Sequence, residues 1–197
     1  MQFHLNGFRA GDPDIHPRAE NRTSQAHSGS DKVDVLIVGC GPAGLTLAAQ
    51  LSGFPDITTR IVEQKSGPME KGQADGISCR SMEMFQAFGF AEKIKREAYW
   101  VNETTFWNPD SEEPQNIRRS GRVQDVEDGL SEMPHVILNQ ARVHDRYQEV
   151  MRHSPTQLEP DYSRKLISLT VSEEEAEYPV TATLERTEAE YEGQIET

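Results

Sequence analysis

The chain has 197 residues, enough for one ordinary hydrophobic core, and its 33 acidic residues against 20 basic ones give a net charge of −13. This charge argues against nucleic acid and anionic membrane as partners, because their phosphates would repel it. No stretch approaches the roughly 18 apolar residues that a membrane span requires, and the N-terminus lacks a hydrophobic signal core. Cys40 and Cys79 have no metal-ligand spacing with a histidine. We therefore expect an intracellular, cytoplasmic protein with two free thiols and no metal.

Residues 1–32 are polar, mix Gly, Pro, Asp, Ser and His, and show no helical or strand period. They predict a mobile N-terminal extension, with disorder favoured from Gly11 to Asp31. Phe3, Leu5 and Phe8 form a weak alternation of apolar and polar residues. These apolar side chains could pack the first residues against the domain or against a partner subunit.

A strand, a glycine-rich turn and a helix follow one another from Val33. The apolar, β-branched run up to Val38 predicts a strand buried on both faces of a parallel sheet. The next six residues, Gly39 to Gly44, have the G-x-G-x-x-G pattern, and a helix over Pro42–Leu51 would point its first N–H groups at phosphates. A second strand, Thr58–Glu63, ends in an acidic residue about 20 residues beyond the turn. A carboxylate at this position accepts hydrogen bonds from ribose hydroxyls and disfavours a 2′-phosphate. These residues predict a dinucleotide site but do not settle which dinucleotide; the alternative is a glycine-rich turn of purely structural purpose.

The middle of the chain begins with the loop Lys71–Gly76, which has glycines towards both ends and presents one carboxylate, Asp75. From the residues alone, Asp75 is more readily explained as a turn former before Gly76. Helices over 78–88 and 91–98 follow, then a strand over 103–108 and a polar loop over 109–121.

The last third of the chain predicts a strand, a helix and a hairpin. His135–Gln140 is the strand, and it leads directly into a helix over Ala141–Arg152, which indicates another α/β unit beside the first. We expect His144 and His153, on this helix, to be solvated. Residues 167–171 and 178–184 alternate around a turn, and 194–197 resemble the start of a third strand. The expected fold class is α/β, a Rossmann-like domain with a parallel sheet plus a β-hairpin or meander over 33–197, incomplete at its C-terminus.

A resemblance to a known family rests on four segments, VLIVGCGPAGLTLAAQL, VEQK, GQADGISCRSMEMFQAFGF and HVILNQARVHDRY. Together they resemble the single-component FAD-dependent aromatic hydroxylases. Within these the chain is most similar to the branch that contains phenol 2-monooxygenase and 3-hydroxybenzoate 4-monooxygenase. The opening MQFHLNGFR favours the 3-hydroxybenzoate side of that branch. The third and fourth segments, which contain GQADG followed by CR and LNQARVH, are far more specific than the glycine pattern.

The resemblance implies a function and a set of cofactor contacts. The protein would hold FAD, use NADPH as a transient co-substrate and O₂, and hydroxylate a phenolic ring, 3-hydroxybenzoate or phenol, through a flavin C4a-hydroperoxide. The implied cofactor residues are Gly39, Gly41, Ala43 and Gly44 at the pyrophosphate, Glu63 at the adenosine ribose, Gly72 and Gln73 near the flavin, Arg80 at the phosphates, and Gln140.

The resemblance also implies two substrate residues. Asp75 would be the catalytic carboxylate that acts as a base and assists deprotonation of the phenol, because electrophilic oxygen transfer needs an electron-rich ring and a phenolate is richer than a phenol. His135 would face the substrate and hold its carboxylate; a lone histidine at a strand start is as readily a surface or satisfied core residue.

Some family features do not occur in these 197 residues, namely two later flavin fingerprints and the tyrosine and basic residue that complete the substrate pocket. We therefore expect an N-terminal fragment that is inactive alone. The oligomeric state does not follow from these residues; the resemblance implies a homodimer for the full-length form. Two alternatives remain: a non-catalytic fragment that binds a dinucleotide or a partner chain, and an NAD-dependent dehydrogenase, which only the glycine pattern and Glu63 support.

Overall fold

The structure is a computed structural model that describes residues 3–4, 7–8, 11–12, 14–20, 32–173, 176–188, 191 and 193–196. The chain divides into two compact units. The first combines Met1–Met69 with His144–Thr197, and the second is Glu70–Val143. In chain order the elements are β1 (Phe3–His4), β2 (Gly7–Phe8), β3 (Val35–Val38), α1 (Pro42–Leu51), β4 (Thr59–Val62), β5 (Gly76–Ile77), α2 (Cys79–Ala87), α3 (Ala91–Glu97), β6 (Tyr99–Val101), β7 (Glu103–Pro109), β8 (Ile117–Gln124), β9 (His135–Ile137), α4 (Gln140–His153), β10 (Arg164–Val171), β11 (Val180–Arg186) and β12 (Ile195–Glu196).

A parallel strand pair with a crossover helix forms the centre of the first unit. Strand β3 pairs in parallel with β4, from Val35 opposite Thr59 to Val38 opposite Val62. Helix α1 connects the two strands, as a parallel pair requires, and it buries Leu45 fully. Pro42 is the first residue of the helix, a position where a backbone N–H has no partner within the helix, so proline loses no hydrogen bond there. The predicted strand, helix and parallel partner are thus confirmed, with α1 at the predicted bounds.

An antiparallel meander completes the first unit. Strand β11 pairs with β10 on one side and with β12 on the other. The Arg60 guanidinium on β4 donates to Asp161 at 2.7 Å and to Glu196 of β12 at 2.9 Å. The predicted hairpin is therefore confirmed as β10 and β11. The predicted third strand is confirmed over residues 195–196, and Thr197 lies outside the described residues.

Helix α4 contradicts one expectation about its histidines. His144, Tyr147 and Met151 lie three and four residues apart, so they share one face of the helix, and each is no more than 2% exposed. The prediction that His144 is solvated is therefore wrong, because it lies on the apolar face rather than the polar one. His153, by contrast, is half-buried at the end of the helix.

The second unit contains two antiparallel sheets and helices α2 and α3. Strand β9 lies between β5 and β6 and is antiparallel to both, rather than a strand of a parallel α/β unit. Strand β7 pairs with β8, so the polar loop predicted over 109–121 is wrong from Ile117 onward. The sequence of β8 shows no alternation of apolar and polar residues, because seven of its eight residues are exposed and only Gly121 is half-buried. Strand β6 was likewise not predicted.

The N-terminal segment has local structure where it is described. Strands β1 and β2 pair with Phe3 opposite Phe8, and the His16 N–H donates to the carbonyl of His153 at 2.8 Å. The Ala19 N–H donates to the carbonyl of Pro155 at 3.0 Å. Leu5 and residues 21–31 lie outside the described residues. The boundary at residue 32 and the mobility of the extension stay predictions.

The longest helix among the described residues is α4, with 14 residues. None of the helices described combines the length and the apolar character that crossing a membrane requires.

Candidate functional site

The glycine turn between β3 and α1 has a backbone that only glycine fits at two positions. Gly39 has φ +101°, in the left-handed region, and its N–H donates to the carbonyl of Val62 at 2.7 Å. A Cβ on Gly44 would lie 2.0 Å from the Gly39 carbonyl oxygen, so helix and strand can approach this closely only without a side chain there. A Cβ on Gly41 would meet nothing within 4 Å, which leaves open space beside the turn.

Glu63 lies at the end of β4 and holds the turn through two backbone hydrogen bonds. One carboxylate oxygen accepts the Cys40 N–H at 2.9 Å, and the other accepts the Lys65 N–H at 3.0 Å. Each carboxylate oxygen can accept a further bond, so this arrangement is compatible with a ligand hydroxyl. The predicted residues Gly39, Gly41, Gly44 and Glu63 are thus brought together, with Ala43 exposed in the first turn of α1.

A cavity of about 200 Å³ opens beside this turn, and its lining includes Cys40, Gly41, Glu63, His144 and Tyr162. Both ring nitrogens of His144 are buried without a hydrogen-bond partner among the described atoms, and burial lowers the pKa of this histidine. Burial also raises the pKa of Tyr162 to about 12. At neutral pH these groups are therefore uncharged, and His144 is left with unused hydrogen-bonding capacity that a bound polar ligand can satisfy.

The buried thiol of Cys40 gives a prediction about reactivity. Burial raises its pKa to about 12, and the negative charges of Glu63 and Asp161 contribute to the same shift. At pH 8 only about one molecule in 10⁴ then carries the reactive thiolate. We expect maleimide to label Cys79 in the native protein, while Cys40 reacts at a comparable rate only after unfolding in urea, as peptide mass spectrometry measures. Rapid native labelling of Cys40 at pH 8 would contradict this.

A second group of predicted residues meets at the start of α4, within the second unit. The Gln73 N–H donates to the Gln140 side-chain oxygen at 3.0 Å, across 67 positions of sequence. A Cβ on Gly72 would lie 2.4 Å from the Gln140 Cβ, so glycine permits the loop to approach the helix. The side chain of Gln140 is thus held in place through its amide oxygen. Arg80 lies in the first turn of α2 with an exposed side chain and is not part of this contact.

The two predicted substrate residues flank the short β5–β9 ladder, Asp75 before Gly76 at one end and His135 before Val136 at the other. Gly76 pairs with Ile137, and the Leu138 N–H donates to the backbone carbonyl of Asp75 at 2.8 Å. A Cβ on Gly76 would lie 3.5 Å from Nε2 of His135. Asp75 itself is solvent-exposed. The structure therefore places the imidazole of His135 beside Gly76, the residue that follows Asp75.

Sequence reasoning did not single out Asp125, which contacts His135. The Nδ1 atom of His135 and a carboxylate oxygen of Asp125 are 2.6 Å apart, and both side chains are partly buried. The nine residues between them have no motif or period, so the pair is set by the folding of the loop before β9. His144 was missed for a different reason, since a polar residue on the buried face of a helix looks like one on its exposed face.

The turn, the crossover helix and the acid at the end of β4 define a dinucleotide-binding unit of Rossmann type. The positive φ at Gly39, the space beside Gly41 and the unpartnered His144 fit a bound nucleotide. The profile of the FAD binding domain family matches residues 32–194, and the chain belongs to this family. Membership of this family favours FAD over NAD and argues against the dehydrogenase alternative.

Curated relatives carry related names. The whole chain is 63% identical over 197 residues to 3-hydroxybenzoate 4-monooxygenase of Comamonas testosteroni, and it spans 31% of that protein. It is 46% identical over 158 residues to the FAD-dependent monooxygenase terD of Aspergillus terreus, with 77% of this chain and 25% of that protein covered. Phenol 2-monooxygenase fsqG of Aspergillus fumigatus is 31% identical over 159 residues, 81% of this chain and 25% of that protein. The chain thus spans less than a third of each relative.

Solved structures support the same fold. The flavin-dependent monooxygenase PieE, in complex with FAD and substrate, superposes with a TM-score of 0.64 at 22% identity, over 83% of this chain and 28% of that one. Aklavinone-11 hydroxylase, in a ternary complex with FAD and aklavinone, gives a TM-score of 0.59 at 22% identity, over 81% of this chain and 31% of that one. The predicted Rossmann-like FAD-binding fold is therefore confirmed.

Proposed function

We propose that residues 33–197 are the N-terminal part of the FAD-binding domain of an NADPH-dependent monooxygenase that hydroxylates a phenolic ring. The substrate is 3-hydroxybenzoate or phenol, with O₂ as co-substrate, in a full-length protein that works as a homodimer. The single observation that carries the proposal is the 63% identity over all 197 residues to 3-hydroxybenzoate 4-monooxygenase. The position of the His135 imidazole beside Gly76, the residue that follows Asp75, supports it.

The cofactor residues are proposed from the family resemblance, and the geometry within each group described above is compatible with that role. Gly39, Gly41, Ala43 and Gly44 would expose the first N–H groups of α1 to the FAD pyrophosphate. Glu63 would accept hydrogen bonds from the adenosine ribose while it holds the turn. Gly72, Gln73 and Gln140 would contact the cofactor through the loop and the free amide of Gln140, with Arg80 at the phosphates. When bound and reduced by NADPH, FAD supplies the activation of O₂ that side chains cannot provide.

Asp75 is the proposed catalytic residue for the substrate. Transfer of an electrophilic oxygen to the ring requires electron density at the carbon that is attacked. The carboxylate of Asp75 accepts a hydrogen bond from the phenol hydroxyl and takes its proton as the ring is attacked. His135, on the neighbouring strand, donates to a carboxylate on the same ring and so orients it. An acceptor for the hydroxyl and a donor for the carboxylate together specify a hydroxybenzoate better than a plain phenol.

The test uses the full-length protein encoded by the gene that contains this chain. We expect the purified protein to show an oxidised-flavin absorption band and to oxidise NADPH faster when 3-hydroxybenzoate is added, with phenol as the comparison substrate. If neither compound stimulates NADPH oxidation, the proposed activity is wrong. If the flavin band is also absent, the proposed cofactor role of the glycine turn fails with it.

A further inference from the structure

The imidazole of His135 is held by a carboxylate that the proposed function does not use. Its Nδ1 atom lies 2.6 Å from Oδ2 of Asp125, and the two side chains are 29% and 17% exposed. The backbone of Asp125 is fixed in turn, since its N–H donates to the carbonyl of Asn102 at 3.1 Å. A partly buried, short contact of this kind fixes the ring orientation and places a proton on Nδ1, because an ionised carboxylate is only an acceptor.

The other ring nitrogen, Nε2, then faces Gly76 on the neighbouring strand β5. A methyl group on Gly76 would lie 3.5 Å from Nε2, and Gly76 follows Asp75 directly. Glycine at this position therefore leaves Nε2 uncovered on that side. With Nδ1 committed to Asp125, a second proton on Nε2 makes the ring a cation with one free donor.

The charges around His135 make such a donor necessary for an anionic substrate. His135 lines a cavity of about 720 Å³ in the second unit, together with Glu127, Asp128 and Glu132. Arg122 lines it too, but its guanidinium donates to Glu103 at 2.6 Å. A carboxylate that approaches this acidic surface is repelled unless His135 offers it a fixed N–H.

We propose that Asp125 is a positioning residue that holds His135 with Nε2–H directed at the carboxylate of a hydroxybenzoate. This inference rests on the proposed function, since it names the residue that sets the preference for a carboxylated phenol at the same site. Asp125 balances the charge of the imidazolium and fixes the ring, as carboxylates do behind metal-bound histidines. Phenol has no carboxylate, so its binding does not depend on Asp125.

The test compares Asp125→Asn with Asp128→Asn in the full-length protein. Asp128 lines the same cavity and accepts a hydrogen bond from Gln124, so its substitution removes the same charge without touching His135. We expect Asp125→Asn to lower kcat/KM for 3-hydroxybenzoate about 10- to 100-fold, mainly through KM. The dissociation constant for phenol, read from the flavin absorbance shift, should change less than about twofold. Asp128→Asn should leave phenol within about twofold and should not weaken 3-hydroxybenzoate, since it removes a charge that repels the carboxylate.

A double-variant comparison separates positioning from a general structural role. If Asp125 acts through His135, adding Asp125→Asn to His135→Ala costs nothing further in 3-hydroxybenzoate affinity. Equal losses for 3-hydroxybenzoate and phenol, or additive losses in the double variant, would overturn the proposal. If the Asp125→Asn protein does not retain FAD, Asp125→Ser replaces it in both comparisons. If the wild-type protein hydroxylates 3-hydroxybenzoate and Asp125→Asn does so equally well, only the role of Asp125 is wrong. If the wild-type protein binds neither compound, the proposed function is wrong as well.

Discussion

Gly44→Ala is expected to weaken FAD binding by the full-length protein strongly. The added Cβ would lie 2.0 Å from the carbonyl oxygen of Gly39 and 3.2 Å from its carbonyl carbon, and both are backbone atoms that cannot rotate away. The helix must therefore move off β3, which displaces the N–H groups that we propose to bind the pyrophosphate. We expect a loss of about 3 kcal/mol in the free energy of unfolding. A similar loss in binding free energy weakens FAD affinity about 100-fold, as fluorescence titration of the apoprotein measures.

Gly53→Ala is the matched control for this substitution. Gly53 follows the same helix, and a Cβ there would lie 3.6 Å from the carbonyl oxygen of Gln50, an ordinary contact. We expect FAD affinity and the unfolding free energy to stay near wild type. Wild-type FAD affinity in Gly44→Ala would show that the close approach of α1 to β3 does not position the cofactor.

Asp75→Asn is expected to lower kcat for 3-hydroxybenzoate hydroxylation by about 10² to 10⁴, with FAD content unchanged. The amide keeps the shape of the side chain but cannot take the phenol proton. The loss should depend on pH. A phenol of ordinary pKa, about 10, becomes a phenolate as the pH rises toward that value, and a phenolate no longer needs a base. The deficit of the variant should therefore be largest near pH 7 and shrink above pH 9, which kcat measured from pH 6 to 10 tests.

Glu70→Gln serves as the control for Asp75→Asn. Glu70 is an exposed acid five positions earlier in the same unit, so its substitution removes an equal charge without reaching the β5–β9 ladder. We expect wild-type kcat across the pH range. A deficit in Asp75→Asn that stays constant with pH would indicate that Asp75 supports the turn before Gly76 rather than the proton transfer.

The nucleotide unit was predictable from sequence because local rules decide it. The spacing of Gly39, Gly41 and Gly44 between an apolar run and a helix predicts the turn, and the structure gives steric reasons for two of the three glycines. The parallel pairing of β3 and β4 follows from the crossover helix between them. The hairpin β10–β11 was predictable for a similar reason, since its alternation and turn lie within one stretch of sequence.

The second unit was predicted less well because contacts far apart in sequence decide it. Strand β8 has an almost fully exposed sequence without a period, and only its pairing with β7 makes it a strand. The Gln73–Gln140 hydrogen bond joins residues that the family resemblance had selected separately. The Asp125–His135 contact has no signal in sequence at all, since a loop carboxylate ten residues before a histidine is common in any acidic chain.

The most direct test of the central claim is the fate of isotopic oxygen. The full-length protein, containing FAD, is supplied with NADPH, 3-hydroxybenzoate and ¹⁸O₂, and the aromatic product is analysed by mass spectrometry. We predict one equivalent of dihydroxybenzoate per NADPH oxidised, with one ¹⁸O atom in the new hydroxyl group. NADPH oxidation without a hydroxylated product, or a hydroxyl oxygen derived from water, would contradict the assignment of this chain to a flavoprotein aromatic hydroxylase.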